Sequence, residues 1–140
     1  MAAFVLDASV AVSWCFPGEP SENTPYSSRV LLELASHDAI VPEVWPFEIA
    51  NAIFVACNKR RRISELQILE YLDLLKALPI RVERQDMWAN LALESLARGQ
   101  NVAAYDAAYL DLASRRRLPL ATSDQPLRDA AIALGISLMS

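Results

Sequence analysis

Four acidic residues stand where a folded chain could gather carboxylates: Asp7, Glu48, Asp106 and Asp124. Asp7 follows the apolar run Phe4, Val5, Leu6, which reads as a buried strand, and precedes small residues able to open a helix. Asp124 ends a second strand-like run, and Glu48 and Asp106 fall in the first turns of helical segments. In an open parallel α/β layer, strand ends and the starts of the following helices share one rim, so all four can face one cleft. Carboxylates brought together raise one another's pKa, and protonation or a bound cation relieves the repulsion. Oxygen-only ligation suits Mg²⁺ or Mn²⁺, whereas zinc would recruit His or Cys. Each later acid also has a plainer reading: Asp106 favours a helix dipole, Asp124 caps the helix before Pro126, and Glu48 is solvated. Asp7 resists that treatment, because a carboxylate directly after a buried strand needs partners.

The spacing of the remaining residues says what must hold these acids. Residues 8–15 read as a short helix with Ser9 near its start, stopped by Pro17, Gly18 and Pro20. A surface loop over 17–25, a helix over 26–36 carrying Val30, Leu31 and Leu34, and a strand over 39–41 ending at Pro42 follow. A long helix is expected from Glu43 to about Asn58, with Pro46 tolerated in its first turn. Phe47, Ala50, Phe54 and Cys57 share one face of it, and Glu48, Asn51 and Val55 another. Ser64 and Gln67 spell a capping box for a helix ending near Leu78 and Pro79, and residues 80–82 suit a third strand. Asp86 caps a helix that carries Trp88, Leu91, Ala92 and Leu96 and should stop at Gly99. These two helices are expected to pair outside the sheet.

Residues 103–117 form an alanine-rich helix with Asp106 in its first turn and Tyr105, Tyr109 and Leu112 along one side. A strand over 118–121 runs through Thr122 and Ser123 to Asp124, a helix spans 126–134 before Gly135, and 136–138 make a terminal strand. The alternation predicts an α/β domain over residues 1–140: a mainly parallel sheet of four to five strands, covered on both faces.

With 54% hydrophobic and 21% charged residues, a chain of 140 residues can fill one sizeable core. A net charge of −4 argues against general adhesion to nucleic acid, but a metal-neutralised acidic pocket flanked by local arginines remains compatible with it. Residues 59–62 and 115–117 are basic, either as such flanks or as solvated helix-end charges. Trp14, Trp45 and Trp88 are assigned to core or interface packing, while Phe16 could shape a site entrance. Cys15 and Cys57 read as free thiols of a reducing compartment. The N-terminus lacks a basic leader, and no run approaches the roughly 20 apolar residues needed to cross a bilayer, so a cytoplasmic protein without membrane contact is expected.

Four segments carry a family resemblance: V-L-D-A-S-V at 5–10, P-F-E-I-A-N-A-I at 46–53, Y-D-A-A-Y-L-D-L-A at 105–113 and A-T-S-D at 121–124. In order, these resemble the successive motifs of PIN-domain ribonucleases, and the size resembles the VapC toxin of VapBC toxin–antitoxin systems. The resemblance implies a three-layer α/β/α PIN-like fold and an acidic quartet of Asp7, Glu48, Asp106 and Asp124, with Asp7 and Asp106 as the direct metal ligands. It implies that Ser9 and Asn51 orient acids or water, and that Thr122 is the hydroxyl residue two positions before the last acid.

The chemistry so implied is Mg²⁺- or Mn²⁺-assisted hydrolysis of RNA that leaves a 5′-phosphate. A VapB-type antitoxin covering the cleft, with an arginine among the carboxylates, and a homodimer using the helices around 30–34 and 49–55 follow from the same resemblance. Metal-free cleavage would need a histidine pair, and His37 stands alone; Ser9 has no evident base. A phosphotransfer domain is disfavoured because Asp7 lacks a D-x-D partner and the last strand lacks a following lysine. A non-catalytic binding module remains the other alternative.

Overall fold

The computed structural model describes residues 2–16, 19, 23–59 and 61–140, with the backbone alone at residue 59. Its sheet has four parallel strands, β1 (Ala2–Leu6), β2 (Asp38–Pro42), β3 (Ile80–Glu83) and β4 (Leu120–Ala121), in the order β3-β2-β1-β4. Val5 sits opposite Ile40 on one side and Leu120 on the other. Val5 and Leu6 are fully buried, as befits a central strand covered on both faces. The chain steps outward from β1 through β2 to β3 and then returns to the far side of β1 as β4. The strand order therefore reverses between β1 and β4, and the crevice at their carboxyl ends is where such sheets place ligands.

Helices α1 (Ala8–Ser13), α2 (Pro25–Glu33), α3 (Trp45–Phe54), α4 (Glu65–Ala77), α5 (Met87–Leu91), α6 (Leu93–Gln100), α7 (Ala104–Arg116) and α8 (Gln125–Ala133) complete a three-layer α/β/α architecture. Their starts follow local rules. Ser64 and Gln67 close a reciprocal capping box on α4, Asp86 accepts from Ala89 N–H to start α5, and Pro46 lies in the first turn of α3. Helix α7 contributes much of the core: its Tyr109, Leu110, Leu112 and Ala113 are at most 1% exposed. Truncating Leu110 to alanine would cost about 2–5 kcal/mol through lost transfer and the cavity left behind.

Several expectations change. The helix beginning at Trp45 widens into a π-helical turn over Val55–Lys59, closed by Arg62 N–H on the Ala56 carbonyl, with Arg61 left-handed at φ 51. Gly99 stays helical; α6 stops at Asn101, whose φ of 54 supports a Schellman closure from Val102 N–H to the Ala97 carbonyl. Asparagine tolerates that conformation through its short polar side chain. Nor do α4 and α6 pair. Leu93 and Ala97 of α6 pack on the small Ala107 and Ala108 of α7, whereas Tyr71 of α4 donates to the Ala11 carbonyl of α1 at 2.5 Å. The terminal strand shrinks to a single bridge between Leu120 and Leu138, because β4 is only two residues long.

Val30, Leu34 and Ile49, expected at a dimer surface, belong to the core, while Leu32, Phe47 and Phe54 are exposed. Trp14 is buried with its indole N–H on the Ser27 carbonyl, and Trp45 is buried with its N–H unpaired. Trp88 is 72% exposed, so a core role is excluded for it. Phe16 is buried beneath the Arg62 guanidinium rather than set at an entrance; most of the loop after it lies outside the described residues. Cys15 and Cys57 are free thiols. Among the described residues, no helix is long and apolar enough to cross a membrane.

Candidate functional site

Asp7 occupies the junction between β1 and α1, yet its side chain does not cap the helix. Its Oδ2 accepts instead from Ser9 Oγ at 2.5 Å and Thr122 Oγ1 at 2.7 Å. The same hydroxyls also accept backbone N–H groups: Ser123 N–H donates to Ser9 Oγ at 3.1 Å, and Asp124 N–H to Thr122 Oγ1 at 3.0 Å. Residues 7–9 and 122–124 are thereby laced together across the crevice between β1 and β4. Asp7 is 4% exposed, and burial pushes its pKa above the ordinary carboxylate value. Hydrogen bonds from Ser9 and Thr122 oppose that rise, and the nearby charge of Asp124 adds to it.

Glu48, in the first turn of α3, accepts from the Tyr109 hydroxyl at 2.6 Å. Burial, followed by the charges of Asp7 and Asp106, lifts its pKa to about 7, although the Tyr109 bond pulls the other way. Asp106, in the first turn of α7, is lifted to about 6 by burial and then by Asp7 and Asp124. Asp124 is the N-cap of α8, with Oδ2 accepting from Leu127 N–H at 3.1 Å, so its capping role is real.

The couplings define one cluster. Asp7 feels Asp124, Glu48 feels Asp7 and Asp106, and Asp106 feels Asp7 and Asp124. Asp7 and Asp106 are thus each linked to the other three acids, with Glu48 and Asp124 at the flanks. Among the described residues, none of the four forms an ion pair. Asn51 follows Glu48 by three residues on α3 but is exposed and donates to none of the acids among the described residues.

Donor chemistry decides which cation such a cluster suits. Every candidate donor is a carboxylate or hydroxyl oxygen, a hard set that fits Mg²⁺ or Mn²⁺. In their present side-chain positions, no group of three or more Asp, Glu, His or Cys among the described residues could hold a metal ion. The elements bring the acids within electrostatic reach; joint ligation of a cation would require side-chain rearrangement, which like charges resist.

Two contributors have no clear signal in the sequence. Tyr109 is legible there only as part of a helix side, although its spacing of three from Asp106 places both on one face. Arg128 donates from Nη1 to the Thr122 carbonyl at 2.8 Å and lies 5.4 Å from the Tyr26 ring centroid, bracing the 122–124 turn. The basic groups are largely engaged elsewhere. Arg115 bonds Glu83 at 2.9 Å and Asp111 at 2.8 Å, Arg116 bonds Glu83, and Arg62 pairs with Glu19 over the Phe16 ring. Residue 60 lies outside the described residues.

Comparison with known proteins adds two findings. The family model for the PIN domain matches residues 4–133. The fold is similar to the crystal structure of PAE2754 from Pyrobaculum aerophilum, with a TM-score of 0.64 at 17% identity, covering 92% of this chain and 86% of that one. Identity at that level speaks for the fold alone. No curated protein matches the sequence.

Proposed function

This chain belongs to the PIN domain family, generally a nuclease fold, and from that premise we propose that it is a metal-dependent endoribonuclease. The observation that carries the proposal is Asp7: a buried carboxylate held only by hydroxyls and backbone, coupled to further acids, with no described cation among them. Asp7 and Asp106 would hold Mg²⁺ or Mn²⁺ directly, with Glu48 and Asp124 completing the oxygen set. When bound, such an ion polarises a scissile phosphate and lowers the pKa of water.

The protein's own part is positioning. Ser9 and Thr122 fix Oδ2 of Asp7, so that carboxylate is oriented before any cation arrives. Tyr109 holds Glu48, and the cap bond to Leu127 holds Asp124. Burial and the neighbouring acids favour the protonated form of Glu48, and ligation would displace that proton. Asn51, exposed near Glu48, is free to meet water or substrate rather than the acids.

We further propose a toxin role of the VapC type. The support is the motif order in the sequence, together with an acidic cleft that a VapB-type partner could cover by inserting an arginine among the carboxylates. Exposed Leu32 and Phe54 are the apolar residues that a homodimer through the helices considered would bury.

Incubating RNA with the protein in Mg²⁺, in EDTA and with Asp7→Asn tests the activity. Cleavage in Mg²⁺ alone, with 5′-phosphate ends, is expected. Cleavage that persists in EDTA or in Asp7→Asn, or none on any RNA with any divalent cation, overturns the proposal.

A further inference from the structure

Beside the acid cluster lies a second concavity of about 320 Å³, at the small end of the ligand-pocket range. The backbone that carries two of the acids also carries its rim. Phe47 immediately precedes Glu48 and Tyr105 immediately precedes Asp106, and both rings line the cavity. Neither ring is used by the core: Phe47 is 76% exposed and Tyr105 55%. Aromatic rings left in water beside a largely apolar cavity with a few polar groups suit a flat, partly polar ligand, and base stacking on aromatic side chains needs such rings.

The cavity wall offers a carboxylate, Glu43. Asn90 Nδ2 donates to Glu43 Oε1 at 2.8 Å, and Gln85 N–H donates to Glu43 Oε2 at 3.3 Å. The Gln85 side-chain amide donates one N–H to Asp111 Oδ2 at 3.3 Å. One N–H of each side-chain amide is thus committed to a carboxylate, and the remaining lone pairs of Glu43 are the charged acceptors on offer. Glu83 also lines the cavity, but Arg115 and Arg116 hold its carboxylate. A ligand that meets Glu43 must present donors. Among RNA bases, guanine alone sets two adjacent donors, N1–H and the N2 amino group, on one edge, a match for a carboxylate. Adenine, cytosine and uracil each offer one such group there.

We propose that this cavity is a nucleobase subsite with a preference for guanine, stacking the base on Phe47 or Tyr105 and reading its edge with Glu43. The subsite rests on the ribonuclease reading above and would set which RNA bond reaches Asp7 and Asp106.

The test uses the isotopically labelled protein in EDTA, titrated with the 5′-monophosphates of guanosine, inosine, adenosine, cytidine and uridine and followed by NMR. Guanosine monophosphate should shift the Phe47, Tyr105 and Asn90 signals. Inosine monophosphate, which lacks the N2 amino group, should bind about tenfold more weakly for the lost charge-assisted hydrogen bond. Glu43→Gln should erase the preference for guanine over adenine, and Phe47→Ala should weaken all bases by about tenfold. Equal binding of all five nucleotides, shifts that map elsewhere, no shifts, or a protein dimer that covers Phe47 and Tyr105 would overturn the subsite. The wild-type nucleotide series decides between these outcomes even if a variant misfolds. RNA cleavage without guanine-selective binding sinks the subsite and spares the nuclease; guanine-selective binding without cleavage by any metal does the reverse.

Discussion

Two carboxylates at the ends of strands in one sheet meet opposite fates. Glu83 closes β3 and is held by Arg115 and Arg116; burial alone would raise its pKa, but the arginine bonds and charges outweigh that and lower it. Asp7 follows β1 and meets hydroxyls and other acids, so burial prevails and its pKa rises. The desolvation penalty acts on both, and what separates them is whether the chain supplies its own counter-charge. A carboxylate kept for structure comes with its cations. The Asp7 cluster comes without one among the described residues, and that difference is why we assign it to an ion from outside.

The contrast can be broken hardest at its centre. Asp7→Asn should reduce Mg²⁺-dependent RNA cleavage by about 10²–10⁴-fold, the span typical of removing a group that acts on the reacting charge or proton. Glu83→Gln should leave metal affinity nearly unchanged, because that carboxylate already has its cations. A milder cut is Thr122→Val, which removes one of the hydroxyls on Asp7 and should cost about 10–100-fold in metal affinity or rate, as outer partners of metal ligands do. Calorimetric metal titration and cleavage rates would read both quantities.

Proton linkage sharpens the contrast, because the two groups carry opposite signs. Asp106 rises from 3.8 to about 6 and Glu48 from 4.5 to about 7 in the fold, so the native state binds more protons than the unfolded chain between those values. Metal-free stability should therefore be greatest below about pH 4 from these groups and fall as pH climbs through 6 to 7. Asp106→Asn should flatten that slope in denaturant melts taken across pH. The lowered pKa of Glu83 acts in reverse: its stabilisation is present above the ordinary carboxylate value and fades as pH falls below it. The smallest effect belongs to that group, since Arg115 and Arg116 are 40% and 51% exposed; Arg116→Ala should cost no more than about 1 kcal/mol in urea unfolding.

Local rules made much of this legible. An apolar strand running into Asp7, the Ser64 and Gln67 box, and the Asp86 cap depend on near neighbours, and sequence spacing carries that information. The end of α6 departs from expectation because glycine is the usual left-handed residue, and Asn101 takes the position that Gly99 was expected to provide. The partners of α4 and α6 depend on which apolar stripe meets which helix, a tertiary matter with no local signature. Likewise, the bond from Tyr109 to Glu48 spans 61 positions, and the capture of Arg115 by Glu83 spans 32. Sequence could name the acids and the basic run; it could not tell which of them would find a counter-charge.

Manganese binding, followed by loss of the free-ion electron paramagnetic resonance signal, measures that distinction directly. Titrated into metal-free wild-type protein, Asp7→Asn and Glu83→Gln, Mn²⁺ should bind the wild type and Glu83→Gln alike and lose its site in Asp7→Asn. Equal binding by Asp7→Asn, or none by the wild type, would contradict a cation site centred on Asp7.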